Sequence, residues 1–276
     1  MTREVAVPLL LHDLDIPVVL LNCYTPDRTF PSVLPGEVAG GHLATQTLTA
    51  AGHRRIAIIT GEMWMDAAKN RLKGYRQALS SAEIPFDPDL VRIGNWQASA
   101  GHEQTMALLQ SADPPTAILC PNDRMAVEAY EAIKKLGLRI PQDISVMGYD
   151  DQAVARHLTP PLTTLILPHR EIGAWAFETA LEDMAAPGKR RQFPLVKLEC
   201  TLVKRGSVGP HRLQNPGTRG PSERPASGRL IGPIARERKR RARGVGAIRA
   251  VGNSAAAGWA GAPYSTRLRA GGRCRI

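Results

Sequence analysis

Cysteine is scarce and scattered. Cys23, Cys120, Cys200 and Cys274 stand far apart with no CxxC pair among them. That spacing gives no support to a disulfide framework or a structural metal site, and a reducing cytoplasm is the simplest setting. Long apolar runs are missing as well. The N-terminus carries Arg3 and Glu4 and lacks both a signal-peptide core with a small-residue cleavage site and a membrane-spanning stretch. No Ser-His-Asp, HExxH or phosphate-loop pattern is present, so an enzyme is not expected. Neither a cofactor nor a metal is expected, and no internal repeat is visible.

Acidic residues are nearly absent from one end only. Residues 209–276 hold 15 Lys+Arg against 2 Asp+Glu, and the preceding 208 hold 21 against 23. The overall charge of +11 therefore belongs to the tail, and the body is close to neutral. Arginine outnumbers lysine 14 to 1 in this tail, with Gly, Ala and Pro between. Such a composition buries too little apolar surface to offset chain entropy, so 209–276 is expected to be disordered. The same bias would fit an out-of-frame reading of a GC-rich gene. Its arginines could neutralise phosphates without selectivity. Only Trp259 and Tyr264 offer rings, which gives base stacking little support.

Strand and helix signals alternate in the body. Strands are expected over Ile16–Asn22, Arg55–Thr60, Leu90–Ile93, Thr116–Cys120 and Ile144–Met147, with helices over Glu37–Ala51, Asn70–Ala82, Ser99–Gln110 and Asp123–Leu136. In the third helix His102, Met106 and Leu109 align, and in the fourth Ala126, Tyr130 and Ile133. Pro160–Pro168 reads as extended and Glu171–Met184 as helix, with Ile172, Trp175, Ala176 and Thr179 inward. Leu195–Val203 reads as a last strand. This rhythm implies an α/β fold with parallel sheets covered by helices.

The most telling fragment runs from Gly137 to Asp151. Gly137 stops a helix and Pro141 forbids re-entry. The buried strand that follows ends in two carboxylates, Asp150 and Asp151, where open α/β sheets bind ligands. Three further pieces sit near strand ends or helix starts. Arg71, in RLKGY at a helix start, can donate in a fork to hydroxyls or a carboxylate, although in isolation a solvated arginine is the simpler reading. Trp96 can stack on the apolar face of a sugar ring or pack in the core. In PNDRMA, Asn122 can both donate and accept, and Asp123 is the expected helix cap.

In this order and spacing the pieces resemble the effector-binding core of the lactose/galactose/purine-repressor (LacI/GalR) family of bacterial transcription regulators. AGHRRIAIITG, RLKGYRQAL, PTAILCPNDRMAVEAYEAIKKLGLRIPQDISVMGYDD, TPPLTTL and LVKRGSV carry the resemblance, from about Asp15 to Val208. It implies a periplasmic-binding-protein-like fold of two Rossmann-like parallel-sheet subdomains, the N-terminal one incomplete. The implied division is a partial N-terminal subdomain at 1–52 and the C-terminal effector-binding subdomain at 53–161. A crossing strand and returning helix take 162–188, the last C-terminal-subdomain strand 189–208, and the tail the rest.

Carried over by position, Arg71, Asn122 and Asp150 match polar effector contacts and Trp96 the stacking aromatic. Asn22 matches a polar contact that the other subdomain makes near the cleft, His169 a pocket position just after the crossing, and Ala67 takes a pocket position with little to offer a ligand. One aromatic plate with several planar hydrogen-bonding groups favours a sugar effector, and the same groups would suit a heterocycle. The family's operator-binding headpiece is expected to be missing from this chain, and family members act as homodimers. No membrane partner is implied. A sugar-binding protein of the same fold, or a truncated, frame-disrupted regulator fragment without function, are the alternative readings.

Overall fold

The computed structural model describes residues 3–4, 16–25, 28–185, 193 and 195–211. Two separate parallel sheets organise them. The first has the order β10-β4-β2, made of β2 (Leu20–Leu21), β4 (Ser32–Pro35) and β10 (Leu195–Leu198). Beside it β1 (Arg3–Glu4) pairs in parallel with β3 (Cys23–Tyr24). Helix α5 (His169–Ala185) covers this sheet, setting Ile172 and Ala176 against Val33.

The second sheet runs β6 (Val91–Ile93), β5 (Ile56–Thr60), β7 (Ala117–Leu119), β8 (Ser145–Met147), all parallel. Every residue of β5 is buried, as a strand covered on both faces requires. Helices α1 (Glu37–Ala50) and α2 (Asp66–Ser81) pack on one face, where Leu48, Ile56, Tyr75 and Leu79 form a core. On the other, α3 (Ala98–Leu109) and α4 (Asp123–Lys135) enclose Leu108, Ile118, Met125 and Ile133. Strand β9 (Thr164–Ile166) lies along the end of β8 through bridges Met147 to Thr163 and Asp150 to Ile166, and pairs antiparallel with β11 (Thr201–Val203).

The chain passes between the sheets three times, at Pro35–Gly36, at Leu167–Pro168 and at Glu199–Cys200. The first and third crossings are tied together, since the Gly36 N–H donates to the Leu198 carbonyl at 2.6 Å. The third crossing explains a departure from expectation. The single strand read over Leu195–Val203 is two strands, because β10 pairs with β4 in one sheet and β11 with β9 in the other.

Other elements shift in ways with local causes. Only Leu20–Leu21 of the strand expected at 16–22 is paired; Pro17 has no N–H to give, Ile16 is exposed, and Asn22 turns into the left-handed region at φ 57°. Helix α2 begins four residues before Asn70, so Arg71 lies in its second turn and not at its start. In α3 the buried face is Gly101, Thr105 and Leu108, with His102, Met106 and Leu109 only half-buried. That face is set by α4, whose Met125 backbone passes directly over Gly101. Helix α1, grouped by sequence with residues 1–52, stands on the second sheet against α2.

Gly209–His211, assigned by composition to the tail, fold back onto α1: the His211 N–H donates to the Ala51 carbonyl at 2.8 Å. The rest of the expected disordered tail, 212–276, lies outside the described residues, as do most of residues 1–15. Among the described residues no helix is long and apolar enough to cross a membrane.

Candidate functional site

The order β6-β5-β7-β8 places a topological switch between β5 and β7. From β5 the chain moves outward to β6, then returns across it to β7. Crevices outside the carboxyl ends of such strands are where open α/β sheets hold ligands. Trp96 follows β6, Asn122 follows β7 and Asp150 follows β8. Arg71 reaches in from α2, Asn22 from the end of β2, and His169 from the first residue of α5. All six line one cleft of about 360 Å³, so both sheets contribute to its walls. Ala67 lines it too, as do Glu37, Arg124 and Gln152, which sequence reasoning missed.

Glu37 is the omission that matters most. Its carboxylate, 5% exposed, takes the Arg71 fork from both prongs, Nε at 2.6 Å and Nη2 at 3.0 Å. Nη1 donates to the Pro121 carbonyl, and the guanidinium carbon lies 3.6 Å from the centre of the Tyr149 ring. Burial opposes the Arg71 charge, yet Glu37, with Tyr149 and Asp150, holds its proton more tightly than usual. An acidic residue in a first helical turn ordinarily answers the helix dipole. That ordinary role hid Glu37 in the sequence.

Asn122, besides lining the cleft, takes the capping role expected of Asp123. Asn122 is the N-cap of α4, its Oδ1 accepting from the Met125 N–H at 2.8 Å. Its Nδ2 donates to the Trp96 carbonyl at 3.2 Å, which fixes the loop after β6. Asp123 is wholly buried inside the first turn and accepts from Thr164 Oγ1 and the Gln152 N–H, both at 2.7 Å. Burial pushes its carboxyl up to about 6; those two hydrogen bonds oppose the rise, and the Asp150 and Asp151 charges add to it.

The adjacent carboxylates after β8 also part company. Asp150 lines the cleft, with Gln152 Nε2 3.5 Å from its Oδ2. Burial raises its carboxyl above the ordinary range, and Arg71 opposes the rise. Asp151 instead accepts from Arg205 and, at 3.3 Å, from Arg156. It fastens the β8 loop to the chain beyond β11.

Backbone strain gathers at these positions. Asn22, Trp96 and Asp150 have φ of 57°, 64° and 106°. Asn and Asp enter the left-handed region at modest cost, but a tryptophan there is a genuine outlier, held by its surroundings. Trp96 is half-buried, and its indole lies so close to Gly61, the residue after β5, that a Cβ there would meet Cε2 at 1.9 Å. Trp96 Nε1 and Asn22 Oδ1 are buried without hydrogen-bond partners, and the indole nitrogen lies against Gly61, 2.5 Å from where a Cβ there would stand. Among the described residues no group of three or more His, Cys, Asp or Glu is placed to hold a metal ion.

Comparison with known proteins agrees with this architecture. The periplasmic binding protein-like domain family matches residues 45–208. The ribose operon repressor of Haemophilus influenzae is 40% identical over 195 residues, 71% of this chain and 58% of the repressor. A LacI-family regulatory protein from Chloroflexus aggregans superposes with TM-score 0.65 at 30% identity, covering 74% of this chain and 72% of that one. A LacI-family regulator from Enterococcus faecium with bound ribose gives TM-score 0.62 at 27% identity over 71% of each chain. The chain spans a little under three fifths of the length of the curated repressors it matches. By sequence and by fold alike, it belongs to the LacI/GalR family and carries that family's periplasmic-binding-protein-like domain.

Proposed function

We propose that this chain is the effector-sensing core of a transcription regulator and that its cleft takes a small hydroxyl-rich ligand, a sugar of the ribose class. One observation carries the reading. One aromatic plate, Trp96, lines the cleft together with the planar polar groups of Asn22, Arg71, Asn122 and Asp150. A sugar hydroxyl both donates and accepts, so a sugar answers donors and acceptors alike while the apolar face of its ring meets the indole. An apolar ligand would take water from these polar groups and return no partner, at a cost of about 1–3 kcal/mol each. Two relatives, a ribose operon repressor and a regulator with bound ribose, support the same ligand class.

Signalling follows from the walls. Asn22 and His169 stand on elements of the first sheet, while Arg71, Trp96, Asn122 and Asp150 belong to the second. A ligand that touches both sides favours the arrangement in which they approach, shifting a pre-existing equilibrium. The longer regulator would convert that shift into altered operator affinity through a DNA-binding headpiece on paired copies. This chain would act by binding, without catalysis, in the cytoplasm.

A thermal melt of the full chain with ribose tests the reading. A ligand that binds only the native state, at a hundred times its Kd, adds about 2.7 kcal/mol of stability. Ribose is expected to raise the midpoint, and Trp96→Ala to abolish the rise while keeping a cooperative transition. A cooperative wild-type melt that no pentose, hexose or disaccharide moves would overturn it.

A further inference from the structure

An arginine deep in a cleft ordinarily invites an anion, because its planar fork matches phosphate or carboxylate oxygens two at a time. In this cleft the fork is already taken. Arg71 Nε and Nη2 both point at Glu37, and Nη1 serves the Pro121 carbonyl. Of the five guanidinium N–H groups, two remain uncommitted. Asp150 adds a second carboxylate on the same wall. Arg71 is the only buried cation among the described lining residues; Arg124 and His169 are exposed at the rim, with Arg124 turned toward Gln152.

We infer that Glu37 is a specificity-determining residue, which makes the cleft select uncharged polyols and reject phosphorylated or carboxylated ones. The inference rests on the effector reading of this cleft. An entering anion meets two carboxylates against one buried cation, so it loses water without gaining a partner. A neutral diol meets a balanced set: two free N–H groups on Arg71 to accept from, and spare lone pairs on Glu37 and Asp150 to donate to. Glu37 thus sets the sign of the cleft while also holding the Arg71 guanidinium in place over Tyr149.

Ribose and ribose 5-phosphate, titrated into the full chain by calorimetry, form the test, repeated on Glu37→Gln. The wild type is expected to prefer ribose by on the order of 100-fold, the scale of a buried like-charge conflict. In Glu37→Gln that preference should shrink tenfold or more because ribose 5-phosphate gains affinity. The gain separates charge from size, since the phosphate is equally bulky in both proteins. Equal wild-type affinity for the two ligands, or an unchanged ratio in the variant, would overturn the inference while leaving the sugar reading intact. If neither ligand binds the wild type, the effector reading falls and takes this one with it. Should Glu37→Gln fail to fold cooperatively, a neutral 5-O-substituted ribose of similar bulk, titrated into the wild type, makes the same separation: it should bind at least tenfold tighter than ribose 5-phosphate, and equal affinity would overturn the inference.

Discussion

Arg71 was legible as a candidate from its place in RLKGY, but its alanine variant tests more than ligand contact. Removing the guanidinium leaves the Glu37 carboxylate 5% exposed and without the fork that answers it. Breaking one side of a buried pair typically costs about 3–5 kcal/mol. Arg71→Ala is therefore expected to lose that much in urea denaturation, and Arg71→Met combined with Glu37→Gln to recover most of it. A single variant as stable as wild type would mean that the pair is solvated and the cleft wall is not dry. Other residues show where one-dimensional reading stops. Asn122 and Asp123 are both good capping types, and only the path of the Gln152 loop decides which one is turned inward. Nothing local announces that Trp96 adopts φ 64°, since the outlier depends on Gly61 and Asn122 arriving from two other strands.

Periodicity placed the elements well where neighbours are close in sequence. The turn at Gly137 has φ of 72°, as the sequence signal requires, and α4 buries Ala126, Tyr130 and Ile133 as expected. It failed where a distant element decides, as in the buried face of α3 and the split of β10 from β11. The α1–α2 contact is of this second kind. A Cβ on Gly74 would stand 2.1 Å from the Val38 carbonyl oxygen and 2.5 Å from the His42 nitrogen, backbone atoms that cannot step aside. In an open helix Gly→Ala gains roughly 1 kcal/mol. Gly74→Ala is expected to do the reverse, lowering the melting midpoint and weakening ribose binding, because separating the helices pulls Arg71 on α2 from Glu37 on α1. A stabilised variant with normal affinity would show that the two helices have room to spare.

For the molecule as a whole, two buried groups far from each other in sequence set opposing responses to acid. His53 sits 3% exposed at the meeting of α1, β7, β8 and the last described residues, with Nδ1 2.9 Å from Thr116 Oγ1 and Nε2 2.9 Å from Ser145 Oγ and 3.2 Å from the Gly209 carbonyl. Burial, helped by the stacked His211, lowers it from its usual 6.5 to about 4, against the pull of the Gly209 carbonyl. Above pH 6.5 neither the folded nor the unfolded state protonates it. As pH falls toward 4 only the unfolded state takes the proton, so stability drops by about 3 kcal/mol. Asp123, raised to about 6, behaves in the opposite sense. As pH falls from 6 toward 4 the folded state takes the proton first, and stability rises by about 3 kcal/mol. The two terms oppose each other in the native chain. Each single variant should therefore expose the other: His53→Gln should gain stability between pH 6.5 and 4 relative to wild type, and Asp123→Asn should lose it. Urea midpoints at half-unit steps through that window provide the measurement. If both variants run parallel to wild type, neither group keeps its protonation apart from solvent, and the two opposite ends of the second sheet, where His53 and Asp123 sit, are open to water.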